Sequence, residues 1–343
     1  MNKKTLSVIV PNYNYAHFLK RRLDSIANQT IKPDEIIFLD DCSTDNSREV
    51  AEQLLKTYGI AYSIVVNETN QGVFFQWLKG IRLAKFDYIW IAEADDSCEP
   101  DLLDRLLSGF DDSDVVVSYC QSQIIEDNSD QNSVKTHRDD IAKIIDAKRW
   151  LTSYKNNCYD EVSRYLCITS TIANASAVLL KKQALRLEKL RHVAGYKMAG
   201  DWLFYLLVLF ENPTSKIAYC SDSLNLWYKH DTSVWADETK ARAAYIECLK
   251  IYSIILSNYK VAITAKKSIY DLLVRHYLNQ YIQDESYCKL LFTVIDLTGN
   301  KSWALSLLQL ILQIKPLKVC LVYIWQGIKK QSVFGKICKN LTR

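Results

Sequence analysis

The chain has 343 residues, of which 49% are hydrophobic and 24% charged, with a net charge of +4. This composition excludes a disordered or low-complexity chain, and it supplies a sizeable core for one large domain or two smaller ones. No uncharged apolar stretch reaches the ~20 residues of a spanning helix, and Met1–Lys4 leads into a short apolar run with no small-residue cleavage site, so neither a membrane span nor a signal peptide is expected.

The charge is unevenly spread. No acidic residue follows Asp296, so residues 301–343 carry +8 and residues 1–300 carry −4. The ten cysteines form no C-x-x-C pair and no metal-ligand spacing, which reads as free thiols in a reducing cytoplasm.

In chain order, Leu6–Val10 is a β-rich run closed by Pro11. Phe18, Leu19, Leu23, Ile26 and Ala27 then follow at helical spacing. Glu35–Leu39 predicts a second strand ending at Asp40-Asp41, and Ser43-Thr44-Asp45 opens a helix to about Lys56. Tyr62–Val66 predicts a third strand. Asn70-Gln71-Gly72 is a turn before a helix to Ala84, and Tyr88–Ala92 predicts a fourth strand. The alternation of strand and helix predicts an α/β fold built on a mostly parallel sheet with helices on both faces.

Beyond a helix over Pro100–Phe110, Val115–Tyr119 is expected as a strand and residues 121–140 as a long polar loop. Ala173–Leu180 is strand-like, Asp201–Phe210 is an apolar helix, and Ile217–Cys220 and Leu224–Tyr228 read as two edge strands. From about Thr239 the texture becomes helical, which divides the chain into residues 1–235 and a helical region 236–343.

The stretch that carries most chemistry is Tyr88–Asp96. An apolar strand, read as buried on both faces, ends in Glu93, Asp95 and Asp96. Carboxylates at such a strand end are costly unless neutralised, and a divalent metal holding substrate phosphates would do that. A helix cap at Asp96 explains one acid and leaves Glu93 and Asp95 without a role. Polar clusters also end the first two strands, at Asn12-Tyr13-Asn14 and Asp40-Asp41. In parallel sheets this carboxyl edge is where ligands bind.

Taken together, Ser7–Asn14, Leu39–Ser47, Asn70-Gln71-Gly72, Glu93–Asp96, Ala199–Trp202 and Tyr228-Lys229-His230 with Ser233 resemble the family-two inverting glycosyltransferases of the GT-A nucleotide-sugar-binding fold, including bacterial cell-surface polysaccharide enzymes. The resemblance covers residues 5–232. It implies that Pro11, Asn12 and Tyr13 cradle a nucleotide base. Asp40, Asp41, Asn70 and Gly72 would complete the nucleoside site, with Asp41 accepting from a uracil ring N–H. Glu93-Ala94-Asp95 takes the place of the family's D-x-D motif, so Asp95, with Asp96 as a second ligand, would hold Mn²⁺ or Mg²⁺ on the diphosphate. Asp96 also reads as a ribose contact or a helix cap. Asp201 falls at the catalytic base, a position that also suits a helix cap, and His230 at a histidine near the diphosphate.

Two departures stand out. Glu93 replaces the commoner Asp, and Trp77-Leu78 stands where many relatives have Arg-Asn, with the Arg near the phosphates. Lys79 and Arg82 are the cations left on that helix, and Trp77 reads as core.

The resemblance implies a nucleotide-sugar donor, most often a UDP-sugar, and a glycan or lipid-linked glycan acceptor. A non-catalytic sugar-nucleotide-binding or scaffolding subunit is the alternative. A sugar-phosphate nucleotidyltransferase is disfavoured because no Gly-rich phosphate loop follows the first strand. Residues 302–314 pattern as a short amphipathic helix among basic residues. This fits a core helix, a dimer contact, or peripheral contact with an anionic membrane on its inner, cytoplasmic face. No aromatic-basic repeat points to nucleic acid.

Overall fold

The computed structural model describes residues 3–126, 135–142, 144–145, 147–172, 174–229, 238–278 and 284–299. The chain divides into two compact units, Met1–Asp237 and Glu238–Arg343.

The first unit opens with three strand–helix repeats. They are β1 (Leu6–Asn12) and α1 (Ala16–Ala27), β2 (Glu35–Asp40) and α2 (Ser47–Leu55), and β3 (Ala61–Val66) and α3 (Val73–Leu83). There follow β4 (Tyr88–Ile91), the short β5 (Ser97–Cys98), α4 (Leu102–Gly109) and the long β6 (Val115–Glu126). Small elements come next: β7 (Lys135–Thr136), α5 (His137–Ile141), β8 (Tyr154–Asn157) and α6 (Cys158–Glu161). β9 (Val178–Lys181), α7 (Leu187–Leu190), α8 (Gly200–Phe210) and β10 (Lys216–Lys229) complete the unit.

One sheet runs in the order β3-β2-β1-β4-β9-β6-β10-β5, with β7 against β6 and β8 against β10. β3, β2, β1 and β4 are parallel. β9 is antiparallel to both β4 and β6, so the sheet is mixed beyond β4. β1 lies between β2 and β4, so the chain leaves it on one side and returns on the other. That reversal opens a crevice at the carboxyl ends of β1 and β4.

The core explains these elements. β1 and β2 are buried at every position, as expected of strands covered on both faces. α1 turns Leu19, Leu23 and Ile26 into a cluster with Val8, Val10, Phe38 and Trp90. Burying a Leu or Ile side chain contributes ~1.5–3 kcal/mol.

Residues 121–126 are not loop: they extend β6, which pairs with β10 as far as Glu126 and Lys229. Gln121 and Ser122 are polar yet buried, because Ser122 accepts from Asn225 Nδ2 at 3.1 Å and Gln121 Nε2 donates to the Tyr219 hydroxyl at 3.2 Å. Within residues 135–140, β7 and the start of α5 likewise replace the expected loop. The two expected edge strands form the single strand β10, which is internal, between β6 and β5. Irregular register between Cys220 and Asn225 accounts for the apparent break. The strand-like pattern before Leu180 begins with a 3-10 turn over Ala175–Ala177, and β9 starts only at Val178.

The second unit is helical over its described residues: α9 (Glu238–Asn258), α10 (Ile263–Leu272) and α11 (Glu285–Leu297). No described helix is long and apolar enough to cross a membrane. Residues 301–343, with the pattern at 302–314, lie outside the described residues.

Candidate active site

The crevice at the ends of β1 and β4 is a cleft of about 480 Å³. It gathers Pro11, Asn12 and Tyr13 from β1 and its following turn, Asp41 after β2, Asn70 and Gly72 before α3, Glu93, Asp95 and Asp96 after β4, and Asp201 from α8. Residues nearly 190 positions apart in sequence thus share one cavity. Tyr13, 45% exposed, leaves its ring free to stack on a flat ligand. His230 and Ser233 lie outside the described residues, while their neighbours Trp227 and Tyr228 line the cleft.

Asp40 does not line the cleft. Its Oδ1 accepts from Asn12 Nδ2 at 3.0 Å and its Oδ2 from the Ser43 amide at 3.0 Å. It is buried and ties the end of β1 to the loop after β2, because a carboxylate at that depth needs local donors.

Asp41 lines the cleft but spends its acceptors on the protein. It takes Asn67 Nδ2 at 2.7 Å, the Gln71 amide at 2.9 Å and the Gly72 amide at 2.7 Å. Little acceptor capacity is left for a base N–H. The turn it holds is one that glycine makes easily, since Gly72 has φ 90°. Lys79 donates to Asn67 Oδ1, and Arg82 points outward from α3. Neither stands on the cleft, whose lining cation among the described residues is Lys197.

The acidic strand end is braced from α1. Arg22 Nε donates to the Glu93 carbonyl at 2.7 Å, and an Arg21 guanidinium nitrogen to the Asp95 carbonyl at 2.6 Å. Arg21 also lies 3.5 Å from the centre of the Tyr228 ring. These two arginines escaped the sequence reading, although a signal existed: Arg22 falls on the buried stripe of Leu19, Leu23 and Ile26.

Trp77 is core, packed edge-on against Phe74 and Phe204. Its indole N–H also donates to Glu93 Oε1 at 2.7 Å. Desolvation and the Asp95 charge push the Glu93 carboxyl up to about 8, against the pull of the Trp77 bond. The same two causes push Asp96 up to about 7, opposed by Arg22. Asp96 is 1% exposed, the side chains of Ser176 and Asn174 pull against its upward shift, and Arg22 stands 3.8 Å away.

The buried Asp96 carboxylate, beside Asp95 on a cleft wall and with its nearest cation, Arg22, 3.8 Å away, fits a hard divalent cation. Among the described residues no group of three or more His, Cys, Asp or Glu side chains is arranged to hold a metal alone. Two carboxylates completed by ligand phosphates match the way Mg²⁺ is usually held.

Asp201 lies in the first turn of α8, behind Ala199, which occupies the cap. Its Oδ1 accepts from the Trp202 amide at 2.7 Å, so it serves the helix start while facing the cleft. An acid there is also favoured by the helix dipole.

The family model for glycosyl transferase family 2 matches residues 7–181, half of the chain. The chain belongs to this family. An uncharacterized glycosyltransferase of Nostoc is 35% identical over 145 residues, which cover 41% of this chain and 45% of that protein. The abequosyltransferase RfbV of Salmonella typhimurium is 25% identical over 275 residues, covering 79% of this chain and 80% of that protein. Among solved structures, S. aureus TarS 1–349 in complex with UDP superposes with TM-score 0.64 at 16% identity, covering 92% of this chain and 88% of that one. At that identity the likeness establishes the shared GT-A fold.

Within the family the two departures meet in space. Trp77 donates its indole N–H to Glu93. The Glu93 carboxyl is thus met by a neutral indole N–H rather than by a cation.

Proposed function

We propose that the protein transfers a sugar from a nucleoside-diphosphate donor, with UDP-sugars foremost, to a hydroxyl of a cell-surface or lipid-linked glycan, with inversion at the anomeric carbon. The observation that carries this reading is the convergence of Pro11–Tyr13, Gly72, Asp95, Asp96 and Asp201 on one cleft in a family 2 chain. Tyr13 and the Asn70–Gly72 turn would bind the nucleoside. Asp95 and Asp96 would hold a divalent cation, which when bound offsets the charge of the departing diphosphate. Asp201 would take the proton of the acceptor hydroxyl as its oxygen bonds to the anomeric carbon. The bond from that carbon to the diphosphate breaks on the opposite face, and the nucleoside diphosphate leaves with the electron pair.

The basic segment 301–343 is proposed to rest on an anionic membrane surface on the cytoplasmic side, which would bring a lipid-linked acceptor to the cleft.

The test is thermal melting with nucleoside diphosphates. UDP at 100 times its dissociation constant is expected to add ~2.7 kcal/mol with Mn²⁺ present, and less with chelator. No response to UDP with either Mn²⁺ or Mg²⁺ would remove the UDP-donor assignment. Binding without transfer to any acceptor would favour a non-catalytic subunit.

A further inference from the structure

Gln76 on α3 is 2% exposed, yet it lines the cleft, and neither its Oε1 nor its Nε2 has a hydrogen-bond partner among the described residues. A buried primary amide with both ends unmet costs stability, so its retention on a cavity wall points to a ligand that meets it. Its place in the fold says which part of a ligand. α3 packs over β1 and β2, and Gly80 lies directly against β1, where an added Cβ would collide with the Ile9 side chain. A helix following β3 in this sheet runs back against the strands. One turn before Gly80, ~5–6 Å along α3, therefore brings Gln76 level with Pro11, two residues (~7 Å) beyond Ile9 toward the carboxyl edge. That is the end of the cleft formed by Pro11, Tyr13 and Gly72. Asp41, which the resemblance makes the base contact, already accepts there from Asn67, Gln71 and Gly72.

We propose that Gln76 binds the base of the donor nucleotide, its amide pairing with a base edge that offers a donor and an acceptor side by side. Uracil presents such an edge at N3–H and its flanking carbonyls. A phosphate offers acceptors only and would leave Oε1 unmet. The inference rests on the donor reading above.

Calorimetric titration of UDP, in the presence of Mn²⁺, tests it with wild type and Gln76→Met, a near-isostere without polar atoms. The variant is expected to bind UDP about tenfold or more weakly, as loss of two hydrogen bonds implies. N3-methyl-UDP should bind wild type weakly and the variant no worse than UDP does. Without nucleotide, Gln76→Met should melt at or above the wild-type temperature, since it removes an unmet buried amide. A lower melting temperature marks Gln76 as structural and overturns the proposal. So does UDP affinity within about twofold of wild type, or an N3-methyl penalty that persists in the variant. Wild type that fails to bind UDP at all overturns the UDP reading and this inference together, whereas UDP binding that Gln76→Met leaves unchanged overturns this inference alone.

Discussion

Without a cation among them, Glu93 and Asp96 hold protons to about pH 8 and about pH 7, because both are desolvated beside the Asp95 charge. The ordinary Glu value is 4.5. Above the ordinary carboxylate range the folded protein keeps protons there that the unfolded chain has released, so these two groups' contribution to stability falls as pH rises from about 5 to 8. Melts in chelator at pH 5, 6, 7 and 8 should show that decline, and Glu93→Gln should make it shallower. Equal slopes in both proteins would mean the proton is held elsewhere. Asp201 is tested differently. Asn keeps an oxygen for the Trp202 amide, so Asp201→Asn should leave the fold and UDP affinity intact. It cannot accept the acceptor proton, and transfer should fall ~10²-fold or more. Turnover within about threefold of wild type would remove Asp201 as the base.

At the scale of elements, the start of α3 depends on one side chain from another repeat. Asp41 holds the Gln71 and Gly72 amides and the Asn67 amide group in a turn that Gly72 completes at φ 90°. Asp41→Ala leaves these donors without their charged acceptor and should cost ~2–3 kcal/mol in urea unfolding. UDP affinity should fall with it, because Gly72 lines the cleft. An unchanged urea midpoint would show that the turn stands without Asp41. α1 plays a matching part on the other side of the cleft, where Arg21 and Arg22 fix two carbonyls of the acidic loop.

For the whole molecule, the charge is divided between a −4 portion, residues 1–300, and the +8 segment 301–343. Near an anionic bilayer each basic residue contributes ~1 kcal/mol. Deleting residues 301–343 should reduce co-sedimentation with phosphatidylserine-containing vesicles, and more so at low salt, while UDP binding persists. Equal sedimentation of the two proteins would assign the segment to protein contacts.

The sequence by itself determined the alternating order from β1 to β4 and the polar clusters that close β1, β2 and β4. Both are local properties: apolar periodicity sets the element, and a polar cluster after an apolar run sets its end. Pro11–Tyr13, Asp41 and Glu93–Asp96 were legible for that reason. Tertiary structure alone decided what each side chain meets. Asp40 and Asp41 are adjacent and alike in sequence, yet one is drawn into the loop after β2 and the other holds the turn before α3. Gln121 and Ser122 read as loop because their partners, Tyr219 and Asn225, lie about a hundred residues away. Arg22 and Gln76 read as ordinary helix residues, since a buried charge or an unmet amide is defined by neighbours that only the packed chain supplies.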